Sequence, residues 1–193
     1  MKLVYKFYDV ENHQAISDEV YNYVVNHTEI LRPKTPVFFN DVSVPSMLAY
    51  TPMLVDFLQQ LSLVPKQIAV VVVAPGEKSE LHVDTIDPYV RILWPVKNCA
   101  GARTKFFDIP REFLELEHNI MGSSNIYYSI TEQQEWPSLG ECELTQPVIF
   151  DASVAHAVHP APGATDHRIS FTMGFDRDLP ISKSVKAWFG FQR

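Results

Sequence analysis

His82-Val83-Asp84 sets an imidazole and a carboxylate two positions apart in an extended stretch. Side chains at i and i+2 of a strand leave the same face, with Cα atoms roughly 7 Å apart. That separation lets two ligands converge on one metal ion. A second imidazole comes later, where the apolar run Val148-Ile149-Phe150 ends and the chain carries His156 into a Val/Ala setting. Further on, Arg168-Ile169-Ser170 puts a guanidinium and a hydroxyl on one strand face. A planar fork beside a hydroxyl suits a small carboxylate, because Arg donates bidentate, charge-assisted hydrogen bonds. Two His and one carboxylate on one face of a metal leave coordination positions open, which is the donor set of non-haem iron sites. The same set also suits zinc hydrolysis, but no H-E-x-x-H or comparable helix motif accompanies it.

The elements that must position these groups are short. Residues 3–8 read as a strand, and Ser17 reads as the N-cap of a helix with Val20, Tyr23 and Val24 on one face. A second helix is expected over 46–63, after Pro45, with Met53, Phe57 and Leu61 recurring every four residues. From Gln67 the run turns β-branched and stops at Pro75-Gly76, which favours a buried strand. Further strands are expected at 81–84, 89–96, 104–108, 125–130, 147–150, 168–175 and 185–191. On the strand 168–175, Arg168, Ser170, Thr172 and Gly174 share one face and Ile169, Phe171, Met173 and Phe175 the other. Short strands after a helical start suggest a sandwich or barrel braced by helices.

The chain has 193 residues, 46% of them hydrophobic and 12% aromatic, enough for one domain with a real core. Its formal net charge is -7, so phosphate-dominated nucleic-acid binding is not expected. Cys99 and Cys142 lack C-x-x-C spacing and read as free thiols. The N-terminus carries no signal-peptide core, and the apolar run 68–74 is far short of the ~20 residues a membrane span needs. A soluble, cytoplasmic protein is expected.

Taken in order, Ala74-Pro75-Gly76, His82-Val83-Asp84, Arg91 to Asn98, His156 to Gly163 and Arg168-Ile169-Ser170 resemble the iron(II)/2-oxoglutarate-dependent oxygenases. The resemblance is to the compact branch near prolyl and aspartyl/asparaginyl hydroxylases, of bacterial or phage type. It covers 68–175, just over half the chain. It implies a mainly β fold, a double-stranded β-helix (jelly roll, cupin-like) core over 66–193, braced by helical support in 1–65, as one domain.

The resemblance also implies the roles. His82, Asp84 and His156 would hold Fe(II), and Arg168, assisted by Ser170, would bind the distal carboxylate of 2-oxoglutarate. His159 competes with His156 for the third ligand position, but the family's spacing favours His156. Arg91 and Asn98 are further candidates for cofactor contact, and Trp94, Tyr128 and Glu80 for substrate contact. Asp151 is expected to brace its loop, and Trp136 with residues 131–140 to form part of a lid. The implied reaction consumes O2, decarboxylates 2-oxoglutarate to succinate, and hydroxylates a C–H bond of an amino-acid, peptidyl or other small substrate. The alternative is a cupin-like module that binds a metal or small ligand without catalysis.

Overall fold

The computed structural model describes residues 4–31, 36–86, 89–118, 126–131 and 134–175. Strand β1 (Tyr5–Phe7) precedes helix α1 (His13–Asn26), strand β2 (Val37–Val42) and helices α2 (Val44–Tyr50) and α3 (Pro52–Gln60). Next come β3 (Pro65–Val73), β4 (His82–Val83), β5 (Val90–Lys97), β6 (Arg103–Phe107), β7 (Leu114–His118) and β8 (Ile126–Ile130). The series ends with β9 (Ser138–Glu143), β10 (Val148–Asp151), β11 (Ala155–His159) and β12 (Arg168–Phe175). They form two six-stranded antiparallel sheets, ordered β1-β10-β5-β12-β3-β2 and β7-β8-β4-β11-β6-β9. Both sheets line one cleft, so they face each other in a double-stranded-β-helix-like arrangement.

Strand alternation divides the first sheet into two chemistries. On its outer face Ile68, Val70, Val72, Ile92, Trp94, Ile169, Phe171 and Met173 pack with Val20, Val24, Leu54 and Phe57 of the helices. On its inner face Arg91, Leu93, Phe150, Arg168, Ser170 and Thr172 look into the cleft. Burying this much apolar side chain at about 25 cal/mol per Å² fixes the register, since a one-residue slip would invert both faces.

Ser17 does not cap α1. The helix starts a turn earlier, and Ser17 Oγ donates to Pro95 O at 2.6 Å while accepting from Trp94 Nε1 at 3.1 Å. It docks the helix on β5 instead. The single helix expected over 46–63 is broken at Thr51 (φ -128°), because a residue before proline is driven out of the helical region. The freed amide of Met53 donates to the Glu19 carboxylate at 2.9 Å, a cap supplied by α1 to the α3 N-terminus.

Residues 1–65 are more than helical support: β1 pairs with β10 and β2 with β3, closing both edges of the first sheet. Strands β2, β7, β9 and β11 were not signalled by the sequence pattern, and the strand expected over 185–191 lies outside the described residues. Pro95 sits inside β5 without an amide to donate, and the β12–β5 ladder shifts register opposite it, between Ile169 and Ser170. No helix among the described residues is long and apolar enough to cross a membrane.

Candidate metal centre

The segment leading into β4 runs antiparallel to β11 and is laced to it by backbone. Val158 N donates to Ser79 Oγ at 2.7 Å, and Asp84 N donates to Ala152 O at 3.1 Å. Between these ties, His82 lies directly opposite His156. Opposed residues share a face, and the two ring centroids are 4.5 Å apart. Asp84, just past the strand, turns its carboxylate back so that Oδ1 is 3.4 Å from His82 Nε2. One ligand atom from each of His82, Asp84 and His156 lies within 4.8 Å of the others.

Both imidazoles are held from behind. His82 Nδ1 is 2.8 Å from Glu80 O, and His156 Nδ1 is 2.9 Å from Val154 O. A carbonyl only accepts, so each Nδ1 carries the proton and each Nε2 is turned toward the shared centre. Burial, then the neighbouring His82, pushes the His156 imidazole down to about 4. Burial also pulls His82 down, but the hydrogen bond and charge of Asp84 outweigh it and the net shift is upward. Burial would raise the Asp84 carboxyl; the Arg91 guanidinium and the two imidazoles hold it well below the usual range. The result is a preformed carboxylate beside two imidazoles.

The cleft has an empty volume of about 750 Å³, part of it open to solvent. Beyond the triad its mostly apolar wall carries a few polar side chains. Arg168 is 5% exposed and its Nη1 donates to Ser170 Oγ at 3.1 Å. Arg91 Nε, Arg168 Nε and the hydroxyls of Thr104 and Thr172 find no hydrogen-bond partner among the described residues. Buried polar groups without partners are uncommon, and four around one cavity mark a place for a polar ligand. Phe39, Val71, Leu93, Phe150 and Val158 supply the apolar remainder.

A prolyl-4-hydroxylase from Pseudomonas putida aligns over 91% of this chain and 93% of its own, at TM-score 0.52 and 14% identity. HygX from Streptomyces hygroscopicus, solved with nickel and 2-oxoglutarate bound, aligns over 92% of this chain and 84% of its own, at TM-score 0.54 and 10% identity. No family model and no curated protein sequence matches the chain. The fold is shared with these two structures, and in this chain it carries a His82/Asp84/His156 triad. The donor set fits a divalent iron-type metal ion, being two imidazoles and one ionised carboxylate on one side of an open cleft.

Of the residues that the superfamily resemblance singled out, the structure brings together His82, Asp84, His156, Arg168, Ser170 and Arg91 on the cleft wall. Arg91 meets Asp84, with Nε 3.3 Å from Oδ2. Four others lie elsewhere. Trp94 points to the helix side of β5, fully buried against Phe57 and Phe171, because it is an odd step from Arg91 and Leu93. Asn98 sits in the exposed turn after β5 (φ 53°) and donates to His167 O at 3.0 Å. Glu80 is exposed and meets the site only through its carbonyl, which orients His82. Tyr128 is one step out of phase; Tyr127 is the cleft residue, its ring edge-on to His82 at 5.9 Å.

His159 leaves β11 on the side opposite His156 and Val158, where it lines a separate cavity with Glu80 and Trp136. Trp136 packs on Phe113 at 5.0 Å, and the end of the expected lid, Ser138 to Gly140, is the start of β9. Asp151 does brace its loop, accepting from Ser153 N and Oγ. Sequence reasoning missed Thr104 and Phe39. Thr104 has no motif; only its pairing opposite Val158 brings it to the cleft.

Proposed function

We propose that this chain is an iron(II)- and 2-oxoglutarate-dependent dioxygenase built on a double-stranded β-helix core. It takes an amino-acid, peptidyl or other small substrate, R–H. The balanced reaction is R–H + O2 + 2-oxoglutarate → R–OH + succinate + CO2. The observation that carries the reading is the meeting, in one cleft, of a two-His-one-Asp triad with a buried arginine whose Nε has no hydrogen-bond partner among the described residues. A plain metal module has no use for such an anchor.

His82, Asp84 and His156 would hold the iron, which when bound supplies the redox chemistry that activates dioxygen. The protein's own residues do the rest. Glu80 and Val154 carbonyls accept from both Nδ1 atoms and keep both Nε2 atoms aimed at the shared centre. Arg168 and Ser170, with Thr104 and Thr172 beside them, would bind the distal carboxylate of 2-oxoglutarate and set its depth. Phe39, Leu93 and Phe150 give the cleft a water-poor wall. On this reading 1–193 act as one domain, supported by the helix layer packed on the first sheet. A cytoplasmic setting is supported by two buried, unpaired thiols, Cys99 and Cys142.

The test is succinate release from 2-oxoglutarate by the purified protein with Fe(II), with calorimetry of 2-oxoglutarate binding. Iron-dependent succinate, lost in His82→Ala, is expected. Metal and 2-oxoglutarate binding with no succinate under any candidate amino acid or peptide would favour the non-catalytic module.

A further inference from the structure

We infer that Arg91 is a positioning residue that keeps Asp84 a one-oxygen ligand, with Gln67 and Asp41 holding Arg91 in turn. The inference rests on the proposed metal site and concerns how this chain builds it. Asp84 presents two oxygens to its surroundings. Oδ1 faces His82 Nε2 at 3.4 Å, on the side of the triad, while Oδ2 is 3.3 Å from Arg91 Nε. A carboxylate with both oxygens free can chelate a divalent ion through both, taking a second coordination position. Here the second oxygen forms an ion pair, without an aligned hydrogen bond, with a guanidinium that is itself 12% exposed, so solvent screens the pair only weakly.

The guanidinium is not free to follow the carboxylate. Its Nη2 donates to Gln67 Oε1 at 3.1 Å, and its carbon lies 5.7 Å from the centroid of the Tyr89 ring. Gln67 Nε2 donates onward to Asp41 Oδ1 at 3.0 Å. The line Asp41–Gln67–Arg91–Asp84 therefore steps from β2 through β3 and β5 to a triad residue that follows β4 of the facing sheet. One guanidinium meets an amide by a hydrogen bond and a carboxylate by an ion pair; a lysine ammonium at this position keeps the charge but not that placement.

The experiment uses the whole protein with Co(II), whose visible absorption reports coordination number, and calorimetry for affinity. Arg91→Met should weaken Co(II) binding on the order of 10–100-fold, the usual effect of removing a residue that orients a ligand. It should also lower the visible extinction as the coordination number rises. Arg91→Lys should fall between wild type and Arg91→Met, and Gln67→Leu should shift the spectrum the same way by less. Wild-type affinity and spectrum in folded Arg91→Met would overturn the inference while leaving the metal site standing. If Arg91→Met does not fold, an unchanged spectrum in both Arg91→Lys and Gln67→Leu overturns it. If the wild type binds no Co(II), or His82→Ala binds it equally well, the metal site itself fails and the inference with it.

Discussion

His82 and His156 face each other across the β4–β11 ladder, and each gives its Nδ1 proton to the carbonyl two residues before it. The same local hydrogen bond, used twice, turns both Nε2 atoms toward one point. Sites of this kind bind before they rearrange, so metal should stabilise the fold by mass action. At a free metal concentration 100 times Kd the gain is about 2.7 kcal/mol, or roughly 5–10 °C in Tm for a domain of this size. Thermal melts with Mn(II) or Co(II) should show that shift in the wild type and lose it in His156→Ala. A shift that survives His156→Ala places the ion elsewhere.

The metal-free protein should lose stability on mild acidification. His156 has a folded pKa near 4, below its ordinary value of about 6.5, so between those limits the unfolded chain binds the extra proton. Stability contributed by this group is present above pH 6.5 and falls as pH drops toward 4. His82, shifted upward, acts oppositely: its contribution is full at low pH and fades as pH rises through its folded pKa. Urea midpoints of metal-free wild type and His156→Gln across pH 4–7 separate the two. The wild type should show the steeper decline between pH 6.5 and 4, and equal slopes would refute the assignment.

Arg168 and its neighbours make a pair of predictions with opposite signs. Removing the guanidinium in Arg168→Met should raise the KM for 2-oxoglutarate by ~10–100-fold, since hydrogen bonds to charged groups contribute about 1.5–3 kcal/mol each. Thr172 is different, because its buried hydroxyl has no hydrogen-bond partner among the described residues. Thr172→Val keeps the shape and removes the orphan, so the ligand-free protein should unfold at equal or higher urea concentration. The same variant should bind 2-oxoglutarate more weakly. Loss of both stability and affinity would mean that the hydroxyl is satisfied after all.

The chemistry of the site was easier to read from the chain than its walls. His82, Asp84, His156, Arg168 and Ser170 stand in motifs whose spacing carries meaning, and strand alternation alone puts Arg168, Ser170 and Thr172 on one face. Phase errors account for Trp94 and Tyr128, where a neighbour of the right type lay one step away on the other face. Thr51 shows why one helix became two: periodicity ran through it, and the following proline overruled periodicity. Strands β9 and β11 were illegible because Ser138–Glu143 and Ala155–His159 are poor in β-branched residues and are held by pairing with β6 rather than by propensity. Thr104 reaches the cleft only through that same non-local pairing.

Ser17 offers a test of how the helix layer fixes the sheet behind the site. Its hydroxyl donates to Pro95 O and accepts from Trp94 Nε1, and all three residues are buried. In Ser17→Ala the indole N–H keeps only a long contact to His13 O, 3.4 Å, and Pro95 O loses its donor at the strand that also carries Arg91. Leaving such groups short of partners costs about 1–3 kcal/mol. The variant should therefore melt several degrees lower, with altered Trp fluorescence in the folded state. Because Arg91 lies on the opposite face, Co(II) affinity should change by less than about threefold. An unchanged urea midpoint would show that the helix is held by apolar burial alone, and a large loss of metal affinity would show that β5 transmits the disturbance to Asp84.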